Sequence, residues 1–407
     1  MGRLSLKDLP LDGKRVLIRV DFNVPLDKNG AITDDARIEA SLPTIKYVLD
    51  HGGFPILMSH LGRPKGKALP EFSLAPCAKR LAFMLGKPVA MAKDCIGEEV
   101  ERLIQNLEPG SSLLLENLRF HRGEEKPGED PSFAEELSKL GDFYINDAFG
   151  TAHRIHSSTA AIVQYFPGRA VAGFLMEKEI QFLGQTLLKP RRPFYAIIGG
   201  AKISTKLGVI KSLVTKVDTL LMGGAMAYTF LKAQGVQIGK SKYEPDCVDT
   251  AKGILDSFQK AGVQIKLPLD HVIVNQMSDR APMSIVDNTQ GIPPGFMCVD
   301  IGPKTIEVFS QELSNAATVL WNGPVGVFEL KPFAKGTKAL AEALAGIDAV
   351  TIIGGGDSVA AIRQANLVHK FTHLSTGGGA SLEYIEYGKL PGIEVLEEAG
   401  KTETKKT

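Results

Sequence analysis

In the first half of this sequence every apolar run but the short one at 88–91 is followed by arginine, histidine or a small polar residue. After RVLIRV (15–20) come Asp21, Phe22 and Asn23. The run at 54–58 is followed by SHLGRP, with His60 and Arg63, and the run at 112–116 by NLRFHR, with Arg119. Asp147 follows the run at 143–146, and Arg154 lies in GTAHRIH (150–156) beyond it. Arg37 adds a cation where the first helix is expected to begin. The planar fork of arginine matches phosphate and carboxylate oxygens. Such a set predicts a site for a small, multiply anionic substrate, in which Asp21 and Asn23 take a hydroxyl or orient the arginines. In the second half, glycines end four segments: YAIIGG (195–200), TLLMGG (219–224), VTIIGGG (350–356) and HLSTGGG (373–379). Glycine permits close backbone approach, and a helix N-terminus directs free N–H groups at an anion. One such turn is mere punctuation; four predict a polyphosphate cradle. Lys202 and Lys206 are expected on one face of the helix opened by GGAKISTK (199–206). Cations there oppose the helix dipole and call for an external anion. Asp357 in GGGDS (354–358) is expected to cap the next helix and, beside a polyphosphate, to hold Mg²⁺. WNGPVGVFE (321–329) ends on Glu329, an acid suited to ribose hydroxyls.

These residues need a frame that delivers them to one edge. Apolar runs at 15–20, 54–58, 88–91, 112–116 and 143–146 alternate with helical patterns at 35–50, 74–85 and 131–139. The first helix has Asp34 or Asp35 as its cap and Pro43 as a point of kinking. A second alternating series has strands at 194–198, 219–222, 264–267, 318–320 and 350–353. Between the two, Met176, Ile180, Leu183 and Leu187 recur at helical spacing, and KPRRP (189–193) stops the helix. The rhythm predicts an α/β chain with mostly parallel sheets covered on both faces. Its domains are expected at 1–172 and 191–390, joined by a helix at 173–190. Ligands of such sheets bind at the carboxyl ends of strands. The polar tail KTETKKT is expected to fray.

Composition excludes several classes. The net charge of +1 gives no field for nucleic acid or an anionic membrane surface. No apolar run approaches the ~20 residues of a membrane span. The start lacks a signal peptide's apolar core, and Met1-Gly2 is only a weak myristoylation match. Cys77, Cys95, Cys247 and Cys298 show no CxxC spacing and read as reduced cytosolic thiols. HRIH (153–156) lacks Cys or carboxylate partners at metal-ligand spacing. A nicotinamide dehydrogenase is opposed by the absence of GxGxxG, and GVQIGKS (235–241) is one residue short of a Walker A loop. A polyanion-binding module is opposed by the near-zero charge.

RVDFNVP, SHLGRP, LENLRFH, NDAFGTAHRIHSS, GGAKISTK, WNGPVGVFE, GGGDS and STGGGAS, in that order, resemble the phosphoglycerate kinase family across nearly the whole chain. The resemblance implies two Rossmann-like three-layer domains joined by a helix and hinge, with 391–407 returning to the first. It implies a monomeric, cytosolic, glycolytic enzyme with Mg²⁺ on the nucleotide phosphates. It assigns the phosphoglycerate site to Asp21, Asn23, Arg37, His60, Arg63, Arg119 and Arg154. The nucleotide site it assigns to Lys202, Glu329 and the turn Gly354, Gly355, Gly356, Asp357 and Ser358, with Lys206 and Asn322 nearby. Catalysis is expected from Arg37, Lys202 and Lys206. The two half-sites are expected to face one another across a cleft that can shut.

Overall fold

The computed structural model describes residues 5–401 of the chain. Met1-Gly2 and the tail from 402 lie outside the described residues. The chain divides into two compact units. One takes the chain up to Gln181 and again from Lys389, and the other is Phe182–Gly388.

The first unit is built on strands β1 (Arg15–Arg19), β2 (Phe54–Met58), β3 (Val89–Met91), β4 (Ser112–Leu114), β5 (Phe143–Asn146) and β6 (Ala170–Ala172). They form one sheet in the order β3-β4-β2-β1-β5-β6, and every pairing is parallel. Parallel sheets carry helices on both faces, which is why the central strands are apolar runs rather than alternating ones. Val16, Ile18, Leu57 and Ile145 are buried with Ile38, Ile45 and Val48 of the helix Ala36–Asp50. That helix runs through Pro43 as one element. Of the two aspartates expected to cap it, Asp34 accepts the Ala36 N–H (2.9 Å), and Asp35 instead binds Arg80 (2.6 Å).

The connecting segment begins as an α-helix, Phe174–Glu179, and widens into π-helical turns over Ile180–Thr186. Asp147 Oδ1 accepts the N–H groups of Leu175 (2.9 Å) and Met176 (3.2 Å) at its start. The final described helix, Pro391–Lys401, packs in the first unit: Gly392 N–H donates to the Ala152 carbonyl (2.8 Å).

The second unit has strands β7 (Phe194–Ile198), β8 (Thr219–Met222), β9 (Gln264–Lys266), β10 (Asp270–Val274), β11 (Ser284–Asp287), β12 (Met297–Ile301), β13 (Thr318–Asn322), β14 (Val350–Gly354) and β15 (His373–Leu374). Six of them form the parallel sheet β15-β14-β13-β7-β8-β9. The other three form a small antiparallel sheet, β11-β10-β12, absent from the sequence reading. Chain order turns back between β7 and β13 here, and between β1 and β5 in the first unit. Those reversals leave crevices at the strand ends. No helix among the described residues is long and apolar enough to cross a membrane.

Candidate functional site

In the first unit, the ends of three strands deliver one hydrogen-bonded cluster. Asp21, just past β1, binds Arg37 from the first turn of the following helix at 2.5 Å. Asn23 Oδ1 accepts the Gly62 N–H (2.9 Å), tying the β1 loop to the β2 loop. Arg119 Nη1 donates to the Gly62 carbonyl (2.8 Å), and its Nε lies 3.2 Å from Glu125. Gly62 has φ +61°, and a Cβ there would stand 2.3 Å from the Phe72 ring, so this junction requires glycine. Arg63 and Arg154 are exposed beside this buried cluster. Arg154 Nε contacts His153 Nε2 at 3.1 Å.

Beneath the cluster lies an arginine that sequence reasoning passed over. Arg19 is fully buried within β1. It donates to Ser158 Oγ (2.8 Å) and to the Val20 carbonyl, and its Nη2 faces His60 Nδ1 at 3.2 Å. Glu124, also fully buried, accepts from the Ser158 hydroxyl (2.7 Å) and lies 3.9 Å from Arg19. An arginine embedded in an apolar run was the available signal, because such a residue is buried only when paired.

Arg19 decides the chemistry of His60. Guanidinium only donates, so Nδ1 must present its lone pair and the ring proton sits on Nε2. Burial, then the charges of Arg19, Arg119 and Arg37, hold the His60 pKa well below its ordinary value. His60 is therefore a neutral Nε2–H donor. Nitrogen-15 NMR is expected to show a histidine signal of that tautomer, uncharged well below pH 6.5, that vanishes in His60→Gln. A doubly protonated His60 at pH 6 would overturn the assignment.

His156 is buried in the same electropositive setting. Burial and Arg19, Arg119 and Arg154 lower it from 6.5 to about 3. Between those values the unfolded chain binds a proton that the folded chain refuses, so stability falls as pH drops. The slope approaches ~1.4 kcal/mol per pH unit for one such group. His156→Gln is expected to flatten the urea-midpoint profile between pH 6.5 and 4. An unchanged profile would show that other groups govern the acid limb.

In the second unit the glycines divide into two kinds. Gly199, Gly223, Gly224 and Gly323 hold strand-end turns against one another. A Cβ on Gly199 would lie 2.2 Å from the Pro324 carbonyl oxygen, and one on Gly224 2.5 Å from the Gly200 nitrogen. Gly200 N–H donates to Pro324 O and Gly224 N–H to Val325 O, each at 2.9 Å. Their first purpose is packing at the β7/β13 reversal. Gly354, Gly355 and Gly356 are different. A Cβ on Gly356 would meet nothing within 4 Å, and the Cβ positions of Gly354 and Gly355 meet only the Asn322 side chain. Asn322 is buried, and its Nδ2 has no protein partner. An unpartnered buried donor beside open glycines at a helix start is a place for ligand oxygens.

Three expectations are corrected here. Lys202 and Lys206 precede the helix Leu207–Leu213 rather than lying on its face, and Lys206 is its N-cap. Lys206 Nζ donates instead to the carbonyls of Gly199 (2.7 Å) and Asn322 (3.0 Å). Burial lowers its pKa to about 8, and Asp357 partly opposes the shift. Asp357 is the second residue of the helix Gly356–Gln364, whose N-cap is Gly355. The Ser358 hydroxyl accepts the Gly323 N–H at 2.6 Å; only its backbone N–H remains on the turn. Asp357, Glu329 and Gly200 line a cavity of about 420 Å³ with Lys240, Tyr228 and Val327. Lys202 is exposed on the turn after β7. The Walker-like stretch serves packing: Lys240 N–H donates to Phe296 O (2.7 Å), and a Cβ on Gly239 would stand 2.5 Å from that oxygen. Asp357 is exposed, and its oxygen-only chemistry beside the open glycines suits Mg²⁺.

The phosphoglycerate kinase family profile matches residues 6–389. The phosphoglycerate kinase of Koribacter versatilis is 53% identical over 403 residues, covering 97% of this chain and 99% of the relative. That of Dictyoglomus turgidum is 55% identical over 396 residues, covering 97% and 98%. Among solved structures, phosphoglycerate kinase from Coxiella burnetii superposes with a TM-score of 0.86 at 38% identity, covering 98% of this chain and 100% of that one. The enzyme from Pyrococcus horikoshii gives 0.86 at 32% identity, covering 97% and 98%. The resemblance carried by the eight sequence blocks is thus borne out, and the chain belongs to the phosphoglycerate kinase family.

Proposed function

We propose that this chain catalyses reversible, Mg²⁺-dependent phosphoryl transfer between 1,3-bisphosphoglycerate and ADP, giving 3-phosphoglycerate and ATP. The observation that carries the reading is a single set of parallel strand ends in each unit. One set offers Arg37, Arg63, Arg119, Arg154 and a neutral His60, and the other offers open glycines beside the unpartnered Asn322 amide. The first suits a phosphate and a carboxylate. The second suits a nucleotide polyphosphate.

Transfer between two anions needs alignment and charge cancellation rather than covalent help. The attacking carboxylate is already ionised, so no general base is required. Asp21 holds one arm of Arg37, leaving the other donors for the transferred group, and Lys202 meets that group from the nucleotide side. His60, Arg63, Arg119 and Arg154 hold the 3-phosphate and carboxylate, with Asn23 fixing the loop beside them. Lys206, Asn322, Glu329 and the turn from Gly354 to Ser358 bind the nucleotide. Asp357 would hold Mg²⁺ with the nucleotide phosphates, where the ion would supply further neutralisation of charge. In-line transfer requires the substrates to meet, so domains 1–172 and 191–390 close about the connecting segment, excluding water. The enzyme works as a cytoplasmic monomer.

A coupled assay with ATP, Mg²⁺ and 3-phosphoglycerate tests the reading; no acyl phosphate above the enzyme-free blank would refute it. Arg63→Ala is expected to raise the KM for 3-phosphoglycerate about tenfold or more, as for loss of a charge-assisted contact. An unchanged KM removes Arg63 from the site.

A further inference from the structure

We propose that Asp94, Cys95 and His121 form a binding site for a thiophilic divalent cation of the zinc type, apart from the Mg²⁺–nucleotide chemistry. Asp94 and Cys95 follow β3, and His121 follows the short helical turn Leu118–Phe120 after β4. These strands are neighbours, so the topology brings the two loops together. One ligand atom from each residue lies within 4.8 Å of the others. His121 Nε2 contacts Asp94 at 2.5 Å, and Cys95 Sγ contacts the Glu116 carbonyl at 3.0 Å. The His121 ring stacks on Phe133 with centroids 4.7 Å apart, which holds its plane.

Sulfur, imidazole and carboxylate together match the ligand set of zinc, and the mixed, partly open triad leaves a fourth position for water. Cys95 is fully buried while Asp94 and His121 reach solvent, so entry is from their side. On binding, the thiol proton is released to water and the S–H bond is replaced by sulfur–metal coordination, while His121 coordinates as the neutral imidazole. The occupied site ties the β3 loop to the segment bearing Arg119.

The full-length protein is titrated with Co²⁺ in the absence of nucleotide. The expected result is a thiolate-to-cobalt charge-transfer band with the intense d–d absorption of four-coordination, abolished by Zn²⁺ and untouched by Mg²⁺. Cys95→Ser retains a donor for the Glu116 carbonyl and is expected to fold, yet to lose the charge-transfer band. His121→Gln, which removes a ligand, is expected to weaken Co²⁺ binding by more than ~10-fold, the loss that an outer-shell change alone brings, and Cys247→Ser to leave the spectrum unchanged. Absence of the band in the wild type, or its survival in Cys95→Ser, overturns the site.

Discussion

Arg37→Ala is expected to lower kcat about a hundredfold or more, with nucleotide affinity nearly unchanged. The size follows from removing a donor aimed at charge that develops only in the transition state, which costs about 10²–10³ in rate. The geometry gives the reason to expect it here. Arg37 stands in the first turn of the helix Ala36–Asp50, and its Nη1 is anchored to Asp21. The anchored arm sets the direction of the fork before substrate arrives, so little reorganisation is needed. Its side chain is 36% exposed, so the ion pair itself is screened and contributes little to folding. Thermal stability should therefore hold while turnover collapses. Measuring kcat, KM for each substrate and the unfolding midpoint separates the two effects. Turnover within threefold of wild type would remove Arg37 from the reaction.

Arg19→Met is expected to destabilise the first unit by about 3–5 kcal/mol, the range for stripping one partner from a buried charge pair. Glu124 would remain fully buried, with Ser158 as its principal hydrogen-bond partner. The same change frees His60 Nδ1 from its donor, so KM for 3-phosphoglycerate should rise as well. Adding Glu124→Gln to Arg19→Met should recover much of the stability, because the orphaned charge is gone. It should not recover KM, because the His60 tautomer is still unset. Urea unfolding and steady-state kinetics on the single and double variants check both statements. A loss below about 1 kcal/mol for Arg19→Met would mean that water enters the network and the pairing is weak.

The identity of the anion-holding residues was legible because strand ends announce themselves. An apolar run stops, and the next residues can be listed: Asp21 and Asn23, His60 and Arg63, Arg119, Asp147. The strand-and-helix alternation located most strands of both parallel sheets for the same reason, since covered parallel strands are apolar throughout; the short β6 and β15 did not stand out. The small sheet of β10, β11 and β12 escaped because its strands do not follow that rule. Ser284 and Ile285 of β11 are exposed, and its run is too mixed to stand out.

What one dimension could not hold was the use made of each residue. The glycine repeats look alike in sequence, yet Gly199 and Gly224 are demanded by neighbouring backbone, whereas Gly356 faces open space. Lys202 and Lys206 were placed on a helix by spacing alone, yet the helix starts after them, and Lys206 Nζ turns to the Gly199 and Asn322 carbonyls. Arg19 lies inside an apolar run, but its partners Glu124 and Ser158 stand more than a hundred residues away and only the fold closes them around it. Sequence by itself determined the chemical inventory and the strand ends that carry it, since both depend on local pattern. The tertiary structure alone decided which glycines pack and which stay open, which nitrogen of His60 bears its proton, and which charges are buried. Those outcomes depend on groups distant in the chain, and on the cost of leaving any of them unpaired away from water.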